Sequence, residues 1–228
     1  MSAPGASRHS PATMGQIFPP SFGLYAKLTL LGALLVVVGA CLAWRGAVTD
    51  PHRLDEPVSQ PVPFSHKHHV DDDGIDCRFC HSSVETSSFA GIPPISTCMT
   101  CHSQLFTDAP VLKPLIDSWK TGVPLRWNRV YQLPDFVYFN HSIHIAKGVG
   151  CVSCHGRIDR MPLTRRVVSL SMDWCVNCHR DPQKFLRPRE EVFDLAWQPK
   201  DQQTLGDKLV REYGIDTRRM TDCSLCHR

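Results

Sequence analysis

Hydrophobic side chains are concentrated in one stretch near the N-terminus. Residues 28–44 contain no charged side chain and consist mostly of Leu, Val, Ala and Gly. The stretch from Tyr25 to Trp44 has 20 residues, which as an α-helix is roughly 30 Å long and matches the hydrocarbon thickness of a bilayer. Both of its ends carry an aromatic residue of the kind found at membrane interfaces. The pattern predicts one transmembrane helix, residues 22–44, preceded by a disordered tail, residues 1–21, that has no acidic residue.

A cleaved signal is the alternative interpretation of this segment. Val38-Gly39-Ala40-Cys41 resembles the lipobox that precedes a lipid-modified cysteine, and cleavage there would make Cys41 a lipidated N-terminus. The region before the apolar stretch would then be about 27 residues long with only Arg8 and Lys27 charged, which is long and weakly basic for a signal peptide. A retained anchor is therefore favoured, and either outcome tethers the rest of the chain.

The rest of the chain contains regularly spaced pairs of cysteines. There are 11 of them, and ten form five pairs whose members are separated by two residues. The pairs are Cys77 with Cys80, Cys98 with Cys101, Cys151 with Cys154, Cys175 with Cys178, and Cys223 with Cys226. Each pair is followed directly by a histidine: His81, His102, His155, His179 and His227.

The spacing C-x-x-C-H is the attachment signature of c-type haem. Two thiols three positions apart can bond to the vinyl-derived carbons on one porphyrin edge, and the next residue places its imidazole under the iron. Zinc knuckles are the alternative, but zinc needs closed sets of four ligands, and five three-part sites do not divide into fours. The sequence therefore predicts five covalently attached haem c groups, each with the histidine of its motif as proximal iron ligand.

The predicted haems leave little room for a conventional core. Residues 45–228 give 184 residues for five cofactors, which is too few to wrap them and also build an apolar interior. We expect a mostly α fold with extensive loops and little sheet, in which many of the chain's 18 prolines and 14 glycines lie in connections. The haems themselves should form the core, and folding should depend on their attachment.

The histidines outside these motifs reveal an internal repeat of the form F-x-H-x-x-H. Its copies are residues 64–69 and 139–144. The last histidine lies 8 residues before the next cysteine in one copy and 7 in the other, and a second C-x-x-C-H follows in each case. The repeat predicts two dihaem units, residues 64–102 and 139–179, and a separate fifth haem site at residues 223–227.

The histidines of the repeat are the predicted distal iron ligands: His66, His69, His141 and His144. Residues three apart share a helix face, so the two in each copy can serve different irons. His9, His52 and His68 are expected to be ordinary histidines without an iron. A methionine would supply the fifth distal ligand. Met161, which lies in an Arg-flanked stretch without an apolar face, is favoured over Met172. A haem with one histidine and one methionine ligand would have a raised reduction potential and be the natural electron exit.

Orientation follows from haem chemistry, because basic residues flank both ends of the predicted helix and do not decide it. Haems of c type are attached outside the cytoplasmic membrane. Residues 45–228 should therefore be periplasmic and residues 1–21 cytoplasmic, in a single-pass protein of a bacterial inner membrane. Haem propionates would offset the formal net charge of +3, and we predict no nucleic-acid partner.

The chain resembles a known family over nearly its whole length, including the predicted span and all five haem sites. The residues that carry the resemblance are Leu133-Pro134-Asp135-Phe136-Val137-Tyr138-Phe139-Asn140-His141, Cys154-His155-Gly156, Met161, and Met172-Asp173-Trp174-Cys175. They are similar to the pentahaem subunit of alternative complex III, a group of membrane quinol:electron-acceptor oxidoreductases that replace the cytochrome bc1 complex in some bacteria. Asp173 departs from the glycine expected there, and the F-x-H-x-x-H units also resemble class III cytochromes.

The resemblance implies an electron-transfer subunit of a respiratory or photosynthetic complex, with no independent catalytic site in this chain. Expected partners are iron–sulfur and multispanning subunits, with a monohaem cytochrome c or an oxidase as acceptor. A membrane-anchored donor to a periplasmic reductase is the alternative. A reductase of small oxyanions would need an iron with an open position, which the ligand count does not require. The segment 111–131, with Trp119 and Trp127, has no predicted ligand and is a candidate surface for other subunits.

Overall fold

The structure is a computed structural model that describes residues 19–49 and 54–227. It separates into an N-terminal helical unit and a second unit that contains every C-x-x-C-H motif. The predicted tail, residues 1–21, lies almost entirely outside the described residues, and so do His9 and His52.

The N-terminal unit is a single helix, α1, Phe22–Thr49, of 28 residues. It confirms the predicted apolar helix but ends at Thr49 rather than at residue 44. Its segment Phe22–Gly46 has 25 residues and is a candidate membrane span by length and composition. The leucine and valine side chains along this segment are exposed. A helix that is apolar all round and exposed suits a lipid environment better than the interior of a soluble domain.

The second unit consists of short helices joined by long connections. Its helices are a π-helix at Lys67–Asp72, α2 Cys77–Cys80, α3 Ile95–His102, α4 Lys113–Thr121, α5 His141–Ala146, α6 Val152–His155, α7 Met172–Arg180, α8 Gln202–Glu212 and α9 Cys223–Cys226. Single 3-10 turns lie at Pro110–Leu112, Ile158–Arg160, Pro182–Lys184, Arg189–Glu191 and Thr217–Arg219. The ranges 19–49 and 54–227 contain no strand, only isolated bridges such as Val137 with His227. The mostly α, loop-rich prediction is confirmed.

Short polar side chains determine where several of these helices begin. The Asp76 carboxylate accepts from Arg78 N at 2.8 Å ahead of α2, and the Asn140 side chain accepts from Ser142 N at 2.9 Å ahead of α5. Such side chains satisfy main-chain donors that the first turn leaves without partners. The short helices α2 and α5, of four and six residues, are therefore capped by the residues that directly precede Cys77 and His141.

A small apolar cluster lies near the C-terminal end of the chain. Leu186, Leu209 and Tyr213 form its buried centre. Gly206 lets α8 approach the turn Pro182–Lys184 closely, because a Cβ on Gly206 would lie 2.0 Å from the Gln183 carbonyl oxygen. The cluster is a conventional core, which was not predicted from the sequence, and it joins α8 to the segment around Leu186.

Candidate haem sites

The five C-x-x-C-H motifs lie on or at the ends of short helices, α2, α3, α6, α7 and α9. The spacing of three places both thiols of a pair on one helix face. The histidine N–H donates to the first cysteine's carbonyl oxygen where the histidine ends or follows its short helix, as in His81 N to Cys77 O at 2.8 Å. None of the eleven cysteines forms a disulfide in the described chain. Each motif therefore presents two free thiols and an imidazole from one turn of backbone.

The third motif is the most deeply buried of the five. Burial raises the pKa of the Cys151 thiol to about 11, and burial together with the nearby Cys178 and Cys175 raises that of Cys154 to about 12. Cys223 of the fifth motif is exposed by contrast. No three His, Cys, Asp or Glu side chains converge on one point within residues 19–49 and 54–227.

Three pairs of imidazoles lie opposite one another at similar centroid distances, with different angles between their ring planes. The ring centroids are 6.5 Å apart for His66 and His81, 6.2 Å for His69 and His102, and 6.2 Å for His144 and His179. A bond from imidazole nitrogen to a transition metal is about 2 Å long, so two rings on opposite sides of one iron have centroids roughly 6.3 Å apart. Each pair joins a histidine of the repeat to a histidine of a C-x-x-C-H motif. The residues present therefore fit bis-histidine haem.

Hydrogen bonds hold most of these rings by Nδ1 and leave Nε2 available. Nδ1 of His69 lies 2.9 Å from the Ser65 carbonyl oxygen, and Nδ1 of His144 lies 2.7 Å from that of Asn140. Nδ1 of His66 bonds instead to the Thr164 hydroxyl at 3.0 Å. An imidazole that donates one N–H to a carbonyl is fixed in the tautomer that offers the other nitrogen to a metal. The same arrangement recurs for His81, His102, His141, His179 and His227.

The phenylalanine of the repeat positions both of its histidines. Phe64 stacks on His69 at 4.5 Å and meets His66 edge-on at 4.9 Å. Phe139 stacks on its second histidine at 4.5 Å and meets its first edge-on at 4.7 Å. Aromatic pairs favour these offset and edge geometries. The role of this phenylalanine was not predicted from the sequence, although its matched position in both copies of the repeat indicates one.

His141 has a different environment from the other three histidines of the repeat. Its main-chain N and its Nδ1 both bond to the Ser88 carbonyl oxygen, at 3.1 Å and 2.9 Å, and Ser142 N bonds to that of Ser87 at 3.2 Å. Burial lowers the pKa of the His141 imidazole. Among the described residues, no motif histidine forms an opposed pair with it. The connection that follows the first haem site thus holds the start of the second repeat.

The candidate methionines differ sharply in burial. Met161 is 2% exposed, and its carbonyl oxygen accepts from Lys67 N at 3.2 Å, beside the helix that carries His69. Met172 is 72% exposed. An interior thioether is available to a buried iron, whereas an exposed one is available only at the surface. Both methionines remain candidate ligands, Met161 in the interior and Met172 at the surface.

His155 and His68 stand apart from the opposed pairs. Burial, followed by the charges of His141 and His81, lowers the pKa of His155 to about 4, and its ring meets that of Tyr131 at 4.4 Å. His68 points toward Asp72 and Asp73, with half of its side chain exposed. His68 thus has the surroundings of a surface histidine, as the sequence analysis expected.

Comparison with known proteins gives matches over both halves of the chain. Residues 45–113 match the model of the class III cytochrome c family, and residues 137–228 match that of cytochrome c7 and related cytochromes c. The chain is also 32% identical over 179 residues to a protein of Nitratidesulfovibrio vulgaris named menaquinone reductase, multihaem cytochrome c subunit. The aligned part covers 78% of this chain and 71% of that relative.

Proposed function

The chain belongs to the multihaem c-type cytochromes, which transfer electrons, and from that premise we propose that it holds five haem c groups and relays electrons within a membrane quinol-oxidising complex. The observation that carries the proposal is the set of three opposed imidazole pairs, each of which joins a repeat histidine to a motif histidine. Haem c, when bound, supplies a one-electron iron couple. The residues of this chain would hold, orient and shield that group.

The proposed ligands follow from these pairs. His66 would share an iron with His81, His69 with His102, and His144 with His179. The distal candidates that remain, His141 and Met161, would serve the irons of His155 and His227. The ten paired cysteines would form the thioether bonds, and their spacing on one helical turn orients them for it. The dihaem units 64–102 and 139–179 and the fifth site 223–227 are retained as the proposed organisation.

We propose that α1 anchors the chain as a single span, with residues 45–228 on the periplasmic side of a bacterial inner membrane. The Cys41→Ala variant tests the retained anchor against lipidation. We expect it to remain membrane-bound at wild-type level, because the apolar segment Phe22–Gly46 is long enough to hold it. The intact mass of the wild-type chain provides the check. A mature chain that begins at Cys41 with added lipid, or release of the variant into the soluble fraction, would refute this proposal.

Two directions of electron flow are open to a chain of this family. The resemblance to alternative complex III favours quinol oxidation, with electrons passed through an iron–sulfur partner to a monohaem cytochrome c or an oxidase. The name of the Nitratidesulfovibrio relative favours a second candidate, the reduction of menaquinone. With the proposed periplasmic haem domain, the electrons would then enter from the periplasmic side. The proposed complex would contain multispanning subunits in either case, since the chain has only one candidate span in its described part.

Mild detergent purification of the native protein tests the function. We expect multispanning and iron–sulfur subunits to co-purify, and the haems to be reduced by a quinol and reoxidised by a monohaem cytochrome c in steady turnover. Turnover that runs only from a reduced periplasmic cytochrome to menaquinone would establish the second candidate. Purification of the chain alone, or with a periplasmic reductase, would show that it is a dedicated electron donor instead.

The segment 111–131 remains a proposed subunit surface, but its two tryptophans have different roles. Trp119 is 52% exposed on α4, a helix that also buries Leu115 and Ser118. Trp127 packs edge-on against Phe64 at 6.5 Å and so supports the first repeat. We expect Trp119→Ala to reduce co-purification of partner subunits severalfold without haem loss, and Lys120→Ala on the same helix to have no effect. Equal recovery of partners with both variants would exclude α4 from the interface.

A further inference from the structure

The first histidine of each repeat is held by a residue of the other dihaem unit. Nδ1 of His141, in the second unit, lies 2.9 Å from the Ser88 carbonyl oxygen of the first unit. Nδ1 of His66, in the first unit, lies 3.0 Å from the Thr164 hydroxyl of the second unit. The second histidine of each repeat bonds instead to the carbonyl oxygen four residues before it. The second histidines are therefore oriented locally, whereas the first ones are oriented by contact between the units.

The partner of His66 is a side chain, and this distinguishes it from the other histidines that the haems would use. In the described part of the chain, the remaining Nδ1 partners are main-chain carbonyl oxygens, at His69, His81, His102, His141, His144, His179 and His227. A carbonyl oxygen stays in place whatever side chain the residue carries. The bond from Thr164 to His66 can be removed by a single substitution.

The main chain around Thr164 is held next to the segment that carries His66. Val58 N donates to the Thr164 carbonyl oxygen at 3.1 Å. Lys67, the residue that follows His66, donates its main-chain N–H to the Met161 carbonyl oxygen at 3.2 Å. These bonds attach residues 161–164 to the chain on both sides of His66. The hydroxyl therefore has a fixed position relative to the imidazole.

The bond from Thr164 bears on the orientation of the rings at the first site. The planes of His66 and His81 are inclined by 6°, whereas those of His69 and His102 are inclined by 64°. When Nε2 of His66 binds an iron, Nδ1 carries the ring proton and donates it to the hydroxyl oxygen. Such a bond fixes the ring plane and makes the imidazole a more basic ligand. Without an acceptor, the ring can turn about its Cβ–Cγ bond and binds iron more weakly.

We propose that Thr164 is a positioning residue whose hydroxyl keeps the His66 ring parallel to that of His81 and strengthens it as an axial ligand. The second dihaem unit thereby completes the iron coordination of the first. The inference rests on the proposed function, because it takes His66 and His81 as the ligands of one haem. Thioether bonds at Cys77 and Cys80 do not involve the hydroxyl, so its removal should leave the haem content unchanged.

Electron paramagnetic resonance of the oxidised native complex tests the ring orientation. The signal of a low-spin ferric haem with two imidazole ligands depends on the angle between the ring planes. The low-spin component that His66→Ala converts to high-spin identifies the first site. Thr164→Val removes the hydroxyl at nearly constant volume, and Thr164→Ser keeps it. We expect the valine variant to shift this component away from its near-parallel form, and the serine variant to retain the wild-type signal.

Binding of carbon monoxide to the reduced complex tests the ligand strength. Carbon monoxide competes with His66 for the sixth position of the first iron. Loss of an outer hydrogen bond typically weakens a ligand by about tenfold or more. We therefore expect the carbon monoxide affinity of one haem to rise about tenfold in Thr164→Val and to stay near wild type in Thr164→Ser. Thr86→Val is the matched control, because Thr86 is exposed with its hydroxyl 3.4 Å from the Ser83 carbonyl oxygen. It should leave both measurements unchanged.

The outcomes separate this inference from the proposed function. A wild-type signal and wild-type carbon monoxide affinity in Thr164→Val would overturn the role of Thr164. Equal changes in the valine and serine variants would do the same, since the hydroxyl would then not be responsible. If the valine variant does not accumulate, Thr164→Ala also removes the hydroxyl, and the same results are required of it. Absence of high-spin iron in His66→Ala would instead contradict the proposed ligand pair, whatever the Thr164 variants show.

Discussion

Replacing Cys151 and Cys154 together with serine should nearly abolish accumulation of the folded chain, with a loss of more than about tenfold, because native proteins are only marginally stable. This motif lies at the centre of the unit. Cys151 N bonds to the Val192 carbonyl oxygen at 3.2 Å, and the Cys154 carbonyl oxygen is bonded by Tyr131. Without thioether bonds at this point, the proposed haem can no longer join the surrounding segments. Haem-stained gels and immunoblots of membranes measure the effect.

The corresponding change in the fifth motif is the matched control. Cys223 is exposed, and the motif is tied to the rest of the unit mainly by the Tyr138 N to Cys226 O bond at 2.8 Å and by the bridge of Val137 with His227. We expect Cys223→Ser with Cys226→Ser to remove one haem and leave the chain abundant. Equal loss of chain in the two double variants would show that burial of the third motif does not determine stability.

Replacing His69 with alanine should convert one proposed haem from six-coordinate low-spin to five-coordinate high-spin. The ring of His69 lies 6.2 Å from that of His102, and no other described imidazole is paired with His102 in this way. The covalent attachment at Cys98 and Cys101 does not involve His69, so the total haem content should stay unchanged. Visible and electron paramagnetic resonance spectra of the oxidised protein measure the spin state, with high-spin signal expected for about one haem in five.

His68 provides an internal control of the same residue type on the same short helix. Its ring faces Asp72 and Asp73 rather than a motif histidine. We therefore expect His68→Ala to leave all spectra unchanged. A high-spin signal in His68→Ala, or none in His69→Ala, would contradict the assignment of distal ligands at the second site.

The chemistry of this chain could be predicted from the sequence because haem attachment imposes a local pattern. Cys77, Cys80 and His81 must lie within five consecutive residues for any fold, so the motif identified the class of protein, which the comparisons confirmed. The partner of each repeat histidine could not be predicted, since it depends on how loops of different lengths bring helices together. Those ligand assignments remain proposals.

The apolar cluster illustrates a feature that the sequence contained but that was not recognised. Leu205, Leu209 and Tyr213 recur every four residues and share one face of α8, which begins at the cap of Asp201. This four-residue period predicts an amphipathic helix with one apolar face. The close approach at Gly206 is different in kind, because the residues that meet there are distant in sequence and only the folded chain brings them together.

The hydrogen bonds that the first residues of α5 donate to the carbonyl oxygens of Ser87 and Ser88 affect the order in which the haem sites can form. The carbonyl oxygens of these serines hold His141 and Ser142, so the second repeat begins on a surface that the first unit supplies. A chain that is exported from its N-terminus presents the first two motifs to the attachment machinery before that surface is needed. Maturation should therefore proceed in sequence order. Pulse-labelled intermediates, separated by mass, should carry the haems of Cys77 and Cys98 before those of Cys151 and Cys175.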